Sequence, residues 1–136
     1  MKLLMIYSNK FGYNPALKNL ENAEEITEKK SFENCLVAFI QAEEKDEGNM
    51  LSIEKKLVKN LKWAAKKNET NFVVLHSFAH LSESKASPEF TKNLFNNAET
   101  RLQNANYQTA QTPFGYFLDL EVNAPGYSLA RIFKSL

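Results

Sequence analysis

Between residues 52 and 102 the apolar pattern changes period twice. Ile53, Leu57, Leu61 and Ala65 recur at four-residue steps, the spacing that puts side chains on one face of a helix. NFVVLHS, residues 71–77, then carries an uninterrupted short apolar run, which reads as a strand. Phe90, Leu94, Ala98 and Leu102 return to the helical step. A helix with one apolar face, an apolar strand and a second such helix bury one another only if the strand belongs to a sheet that the helices cover. This segment therefore points to an α/β architecture.

Two further strands precede it. KLLMIYS, residues 2–8, reads as a strand buried on both faces, and residues 32–43, FENCLVAFIQAE, as a second. Residues 9–31 are polar, hold Gly12 and Pro15 and end in the charged run ENAEEITEKK. They read as a long, partly helical connection with a solvated face. EEKDEGN reads as a charged turn, after which Ser52 is placed to cap the first helix. SPE at 87–89 is a strong start for the second, with Ser87 as cap, Pro88 in the first turn and Glu89 beside the positive end of the dipole. A short strand is expected at 107–112. After Pro113, FGYFLDLEV alternates, with Tyr116, Leu118, Leu120 and Val122 on one side and Phe117, Asp119 and Glu121 on the other. APG at 124–126 reads as a turn. The expectation is a single α/β domain over residues 1–136, with two main helices.

Seventeen Lys and Arg against sixteen Asp and Glu leave a formal net charge of +1. A chain that wraps a duplex usually carries a basic stripe, so RNA contact here is expected to be short or supplied by a tether. The best basic patch is Lys55, Lys56, Lys59, Lys62, Lys66 and Lys67, whose default reading is a solubilising helix face. Cys35 is the only cysteine and sits in ENCLVAFI, which suggests a buried thiol in a strand. MKLLMIYS is too short a run for a secretory signal, and no segment is long and apolar enough to span a bilayer. A reducing, cytoplasmic setting without a membrane partner is expected.

The only two histidines, His76 and His80, stand four apart in HSFAHLSE. On a helix that spacing holds zinc, but His76 ends a strand, and four extended residues span about 13 Å. No cluster of Cys or carboxylate completes a metal site, and none is expected. There is no phosphate-cradling glycine loop and no G-x-S-x-G elbow. From residues alone, this is an α/β domain with a histidine loop after a central strand.

FAHLSES, residues 78–84, and TPFGYF, residues 112–117, narrow that reading. With LLMIYSN near the start and LVAFIQAEEKDE, they resemble the N-terminal editing domain of archaeal threonyl-tRNA synthetases in order and spacing across nearly the whole chain. The resemblance implies a D-aminoacyl-tRNA deacylase-like fold with a mixed sheet. It implies hydrolysis of serine wrongly esterified to threonine tRNA, with the 2′-hydroxyl of the terminal adenosine assisting and no cofactor. The implied partners are the tRNA acceptor end, a synthetase body in cis or in trans, and a second copy in a homodimer. Carried over by position, His80 matches the pocket histidine, with the alternative that it is structural. Phe78 and Ala79 match the backbone around it, Gly115 and Tyr116 the PFGY turn, and Ala38, Phe39 and Ile40 the strand expected to line the pocket.

Four positions depart from the family pattern. Leu118 stands for a lysine, Phe117 for a second tyrosine, Tyr127 for a histidine and Arg131 for a glutamate. Near the start, Tyr7 and Asn9 replace the family's HSD pattern with YSN. Leu118 removes a cation and Arg131 reverses a charge. Two other functions therefore stay open: a degenerate module that holds the acceptor end or packs on the synthetase without hydrolysis, and a D-aminoacyl-tRNA deacylase.

Overall fold

A computed structural model describes residues 1–136. It contains β1 (Lys2–Lys18), β2 (Lys30–Gln41), α1 (Met50–Lys67), β3 (Phe72–Ser77), α2 (Pro88–Asn104), β4 (Gln108–Gln111), β5 (Tyr116–Asn123) and β6 (Arg131–Ser135). The sheet order is β4-β3-β2-β1-β5, with β6 also on β1. β2, β3 and β4 run parallel, and β1 is antiparallel to β2, β5 and β6. The fold class is α/β with a mixed sheet and two main helices.

Both helices cover the same face. Ile53, Leu57 and Leu61 of α1 and Leu94, Ala98 and Leu102 of α2 share one core with Leu3, Met5, Leu36, Ala38, Ile40, Val73 and Leu75. The two apolar stripes are those that the sequence spacing predicts. Each fully buried leucine contributes about 2–3 kcal/mol through area removed from water. α2 starts as expected, with the Ser87 hydroxyl accepting from Phe90 N at 3.1 Å. α1 does not start at Ser52. Ile53 N already donates to Asn49 O at 3.0 Å, so the helix has begun at Met50 and Ser52 lies inside it.

The largest departure from the sequence reading is β1. It runs 17 residues to Lys18 instead of ending near residue 8. Residues 10–13 are paired on both sides, with β2 and with β5, so their polar backbone is satisfied without a regular apolar pattern. The register shifts between Pro15 and Leu17, where an irregularity accommodates a residue that cannot donate to the ladder. Only residues 19–29 remain as a connection. β6 was not foreseen either; five residues after the APG turn, Arg131 begins a strand that pairs with the start of β1.

The alternation of β1 and β2 changes phase at one place. Cys35, Val37 and Phe39 share a face with Phe32 in a second core, and Phe11 and Tyr13 share it with Leu4 and Ile6. Odd and even positions therefore exchange roles between Ser8 and Phe11 and, opposite them, between Phe32 and Cys35. Asn34, at φ 52°, takes the left-handed turn that this requires. Beyond it the ribbon curls. Phe11 is paired with Phe32, yet its ring lies 6.4 Å from that of Phe39, seven residues further along β2. The second half of β1 and the β5 strand paired with it are thereby brought over the sheet face that no helix covers.

Candidate functional site: a cavity at the ends of the parallel strands

The cavity forms where β2 and β3 end and the curled β5 passes over them. It encloses about 440 Å³. Its walls come from the end of β2 (Ile40, Gln41), the end of β3 and its loop (His76 to His80), the start of α2 (Pro88, Thr91), the turn 113–115 and the first part of β5. Loops at the carboxyl ends of parallel strands are common places for a site, because the strands fix them and the helix N-terminus adds positive potential.

Eight of the residues carried over from the family pattern line this cavity: Ile40, Phe78, Ala79, His80, Gly115, Tyr116, Phe117 and Leu118. Three are set apart. Ala38 is fully buried on the helix-covered face, because it alternates with Phe39 along β2. Phe39 lies one layer below the cavity, with its ring edge-on to His76 at 5.1 Å and to Phe78 at 5.2 Å. Arg131 is outside the lining; it begins β6 opposite Ile6 and donates to Tyr127 O at 3.4 Å. Tyr127 is likewise outside it and donates its hydroxyl to Asn68 Oδ1 at 2.7 Å.

The loop carrying FAHLS is held by one side chain. Gln41, 3% exposed, accepts from Leu81 N and Ser82 N at 2.7 Å each and donates to Ser82 O and Ser84 O at 2.8 and 2.9 Å. Phe78 N donates to Ile40 O at 3.0 Å at the loop's other end. Beneath, Glu43 accepts from the Ser82 hydroxyl and from the Met1 ammonium, both at 2.7 Å. Burial alone would raise the Glu43 carboxyl, but those two bonds and Lys2 outweigh it and hold the group at about 2. The expected charged turn is a 3₁₀ helix, Glu44–Gly48, whose buried Asp46 also faces the ammonium at 3.1 Å.

The opposite wall is the PFGY turn. Gly115 adopts φ +85°, and a Cβ there would meet Ala23 Cβ at 2.9 Å, so the turn requires glycine on both counts. The Tyr116 hydroxyl donates to Glu24 O at 2.6 Å and accepts from Ile26 N at 3.0 Å. Its ring lines the cavity while its hydroxyl ties down residues 19–29, and that connection supplies Asn19 and Leu20 to the wall.

The two histidines behave differently from what the sequence suggests. His80 is exposed at the rim, its ring 4.9 Å from that of Phe78. His76, which sequence reasoning leaves as an ordinary strand residue, is 5% exposed and lines the cavity. Its Nδ1 lies 2.9 Å from Thr112 Oγ1. Ser8 Oγ is the one fully buried side-chain polar atom without a partner, so His76 Nε2, which has no partner in the protein, is open to the cavity. Burial holds this imidazole down at about 4, leaving it neutral at physiological pH. Gln41 and His76 were missed as site residues. The available signal was a polar side chain ending each apolar strand, where a buried polar group must have a partner.

The site offers a neutral imidazole nitrogen, an unanchored histidine at the rim, backbone groups and apolar walls. It has no nucleophile with an adjacent oriented base. No group of three or more metal-ligating side chains converges anywhere in the molecule.

Residues 1–136 match the archaea-specific editing domain of threonyl-tRNA synthetase. The chain belongs to that family. It is 31% identical over 139 residues to the threonine–tRNA ligase of Thermococcus sibiricus, and 29% identical over 138 residues to that of Methanobrevibacter smithii. All of this chain is covered in both alignments, but only 22% and 23% of those ligases, so it spans under a quarter of their length. Among solved structures, the c-Myc DNA Unwinding Element Binding Protein shares the fold, with a TM-score of 0.68, 10% identity, and coverage of 100% of this chain and 99% of that one. The fold of this editing domain is D-aminoacyl-tRNA deacylase-like. A role in tRNA editing follows from the family.

Proposed function

We propose that this editing domain hydrolyses mischarged aminoacyl-tRNA, with L-seryl-tRNA(Thr) as its substrate. The observation that carries the reading is that one cavity is walled by both Phe78–His80 of FAHLS and the whole of PFGYF. Ser and Thr differ by one methyl, and binding alone rejects the smaller analogue by only about 1–3 kcal/mol, so a second site that excludes Thr is needed. In the reaction, water adds to the ester carbonyl carbon, the bond to the ribose oxygen breaks, and that oxygen takes a proton. Free serine and intact tRNA leave.

A cavity without an oriented side-chain base fits a reaction in which the terminal adenosine's 2′-hydroxyl positions the water. His80 at the rim orients substrate or water. Exposed and with no hydrogen-bond partner to orient its ring, it is limited to a modest share of the general acid–base contribution of about 10²–10⁴-fold. The domain would work in the cytoplasm, joined to or docked on a synthetase body.

The test offers the purified chain seryl-tRNA, threonyl-tRNA and a D-aminoacyl-tRNA. Selective loss of the seryl ester supports the reading, and preferential loss of the D-aminoacyl ester moves the function to chiral proofreading. A 2′-deoxy terminal adenosine should slow hydrolysis far more than His80→Ala; the opposite order would make His80 the principal catalyst. A second reading, an acceptor-end binding module without hydrolysis, is favoured by Leu118. It packs against the second core and lines the cavity where the family pattern has a lysine. Retained tRNA binding with no turnover of any ester would establish that reading.

A further inference from the structure

Charge on this molecule is segregated. The six lysines of α1 against its one acid, Glu54, give that helix a net charge of +5; because the whole chain sums to +1, the remainder is −4. Glu54 is buried and engaged by Arg101, so it does not screen the helix surface. No carboxylate is within ion-pair reach of any of the six lysines, although seven ion pairs form elsewhere. A merely solubilising face has both signs interspersed.

The lysines are also ordered. Lys55, Lys59, Lys62 and Lys66 follow the i, i+4, i+7, i+11 spacing of one helix stripe, about 16 Å long at 1.5 Å per residue. Beside it, Trp63 is 42% exposed and carries Lys67 on its ring at 5.9 Å and, from β6, Lys134 at 5.9 Å. The tertiary fold thus adds a seventh cation and a flat aromatic surface to the stripe.

Its position relative to the cavity follows from helix packing. Asn97 of α2 meets Met50 of α1, and Arg101 meets Glu54, so the two helices run parallel, side by side. Thr91, in the cavity wall, is eleven residues before the level of Lys55. The stripe therefore begins about 16 Å from the cavity along the helix axis and ends about 33 Å from it. An RNA strand with its 3′ end in the cavity, running alongside α1 at about 3.4 Å per step, reaches those levels about five to ten phosphates upstream.

We propose that the exposed face of α1 is a docking surface for RNA backbone, held by Lys55, Lys59, Lys62 and Lys66 with Trp63 beside them. The proposal rests on the reading that the cavity takes an ester on tRNA. It adds a contact surface outside the cavity that selects for RNA by charge and not by sequence.

The experiment measures binding of a threonine tRNA transcript by fluorescence anisotropy between 50 and about 300 mM KCl, chosen to resolve the salt slope. The variant is Lys55→Gln, Lys59→Gln, Lys62→Gln and Lys66→Gln together, with Lys10→Gln plus Lys29→Gln as a control elsewhere. Lys55, Lys59 and Lys66 are exposed and Lys62 half-buried, and glutamine keeps helix propensity, so circular dichroism should confirm folding. The helix variant should bind about tenfold or more weakly, and its slope of log K against log salt should fall by about 3–4, near 0.9 per phosphate contact. The control should keep the wild-type slope.

An unchanged affinity and slope in the helix variant, or no RNA binding by the wild type at 50 mM salt, overturns the proposal; an acidic protein surface then becomes the occupant to test. Failure of the functional reading is separate. Lysine-dependent RNA binding without ester hydrolysis refutes the enzyme and leaves the surface. Seryl-tRNA hydrolysis with an unchanged KM in the helix variant refutes the surface and leaves the enzyme.

Discussion

Replacing Gln41 by leucine keeps most of the side-chain volume and removes four hydrogen bonds at once. Two backbone donors, Leu81 N and Ser82 N, and two carbonyls, of Ser82 and Ser84, lose their partner. At about 1 kcal/mol net per bond the loss is about 4 kcal/mol, and re-solvation of a half-buried loop returns part of it. An expected destabilisation of about 3 kcal/mol remains. With an unfolding entropy of about 0.29 kcal/mol/K for a chain of this size, that lowers Tm by about 10 °C. The effect has a local part. Because Gln41 ties residues 81–84 to the end of β2, amide exchange at Leu81 and Ser82 should rise by orders of magnitude while the β2 and β3 amides stay protected relative to global unfolding. If the loop shapes the cavity, seryl-tRNA deacylation should fall about tenfold or more, mainly in kcat. A change under about 1 kcal/mol in urea unfolding, with unchanged exchange at Leu81 and Ser82, would show that the loop holds itself and would refute the reasoning.

Three further outcomes follow from single groups. The folded His76 imidazole titrates at about 4, below its ordinary 6.5, so the unfolded chain binds the proton first. Stability from keeping this ring neutral and buried is whole above pH 6.5 and is lost as pH falls through 4, about 3 kcal/mol in all; His76→Phe should flatten that part of the stability profile, and an unchanged profile would sink the assignment. Gly115→Ala forces a Cβ into the left-handed region and onto Ala23, and urea unfolding should register a loss of about 2 kcal/mol or more. Burial pushes the Cys35 thiol up to about 12, so a thiol reagent at pH 8 should label it only as fast as the protein unfolds; rapid labelling of the folded chain would contradict its placement.

Much of the scaffold was legible because it rests on period. The α1 and α2 stripes and the β3 run each repeat at the spacing their structure demands, and Ser87-Pro88-Glu89 carries its own start signal. The second half of β1 was hidden because its pattern slips phase between Ser8 and Phe11, opposite Asn34 of β2, and contains Gly12 and Pro15, signs that normally mark a loop. Pairing on both sides supplied what its sequence lacked. Ser52 failed as a cap because the backbone ahead of it had already turned helical from Met50, with Asn49 O accepting the first helical bond.

Of the candidate site, the sequence by itself determined the two motif segments that meet and the glycine that their turn requires. Family membership, fold class and the lysine content of α1 were also contained in residue order. Only the tertiary structure decided which polar groups face the cavity. It withdrew Ala38 to the helix side, moved Arg131 to another edge, spent the Tyr116 hydroxyl on the backbone and turned His76 Nε2 inward. The physical reason is that a side chain's role depends on what else competes for its polar atoms. Those competitors, such as Thr112 for His76 and residues 81–84 for Gln41, lie dozens of residues away and meet only when β1 curls across the sheet.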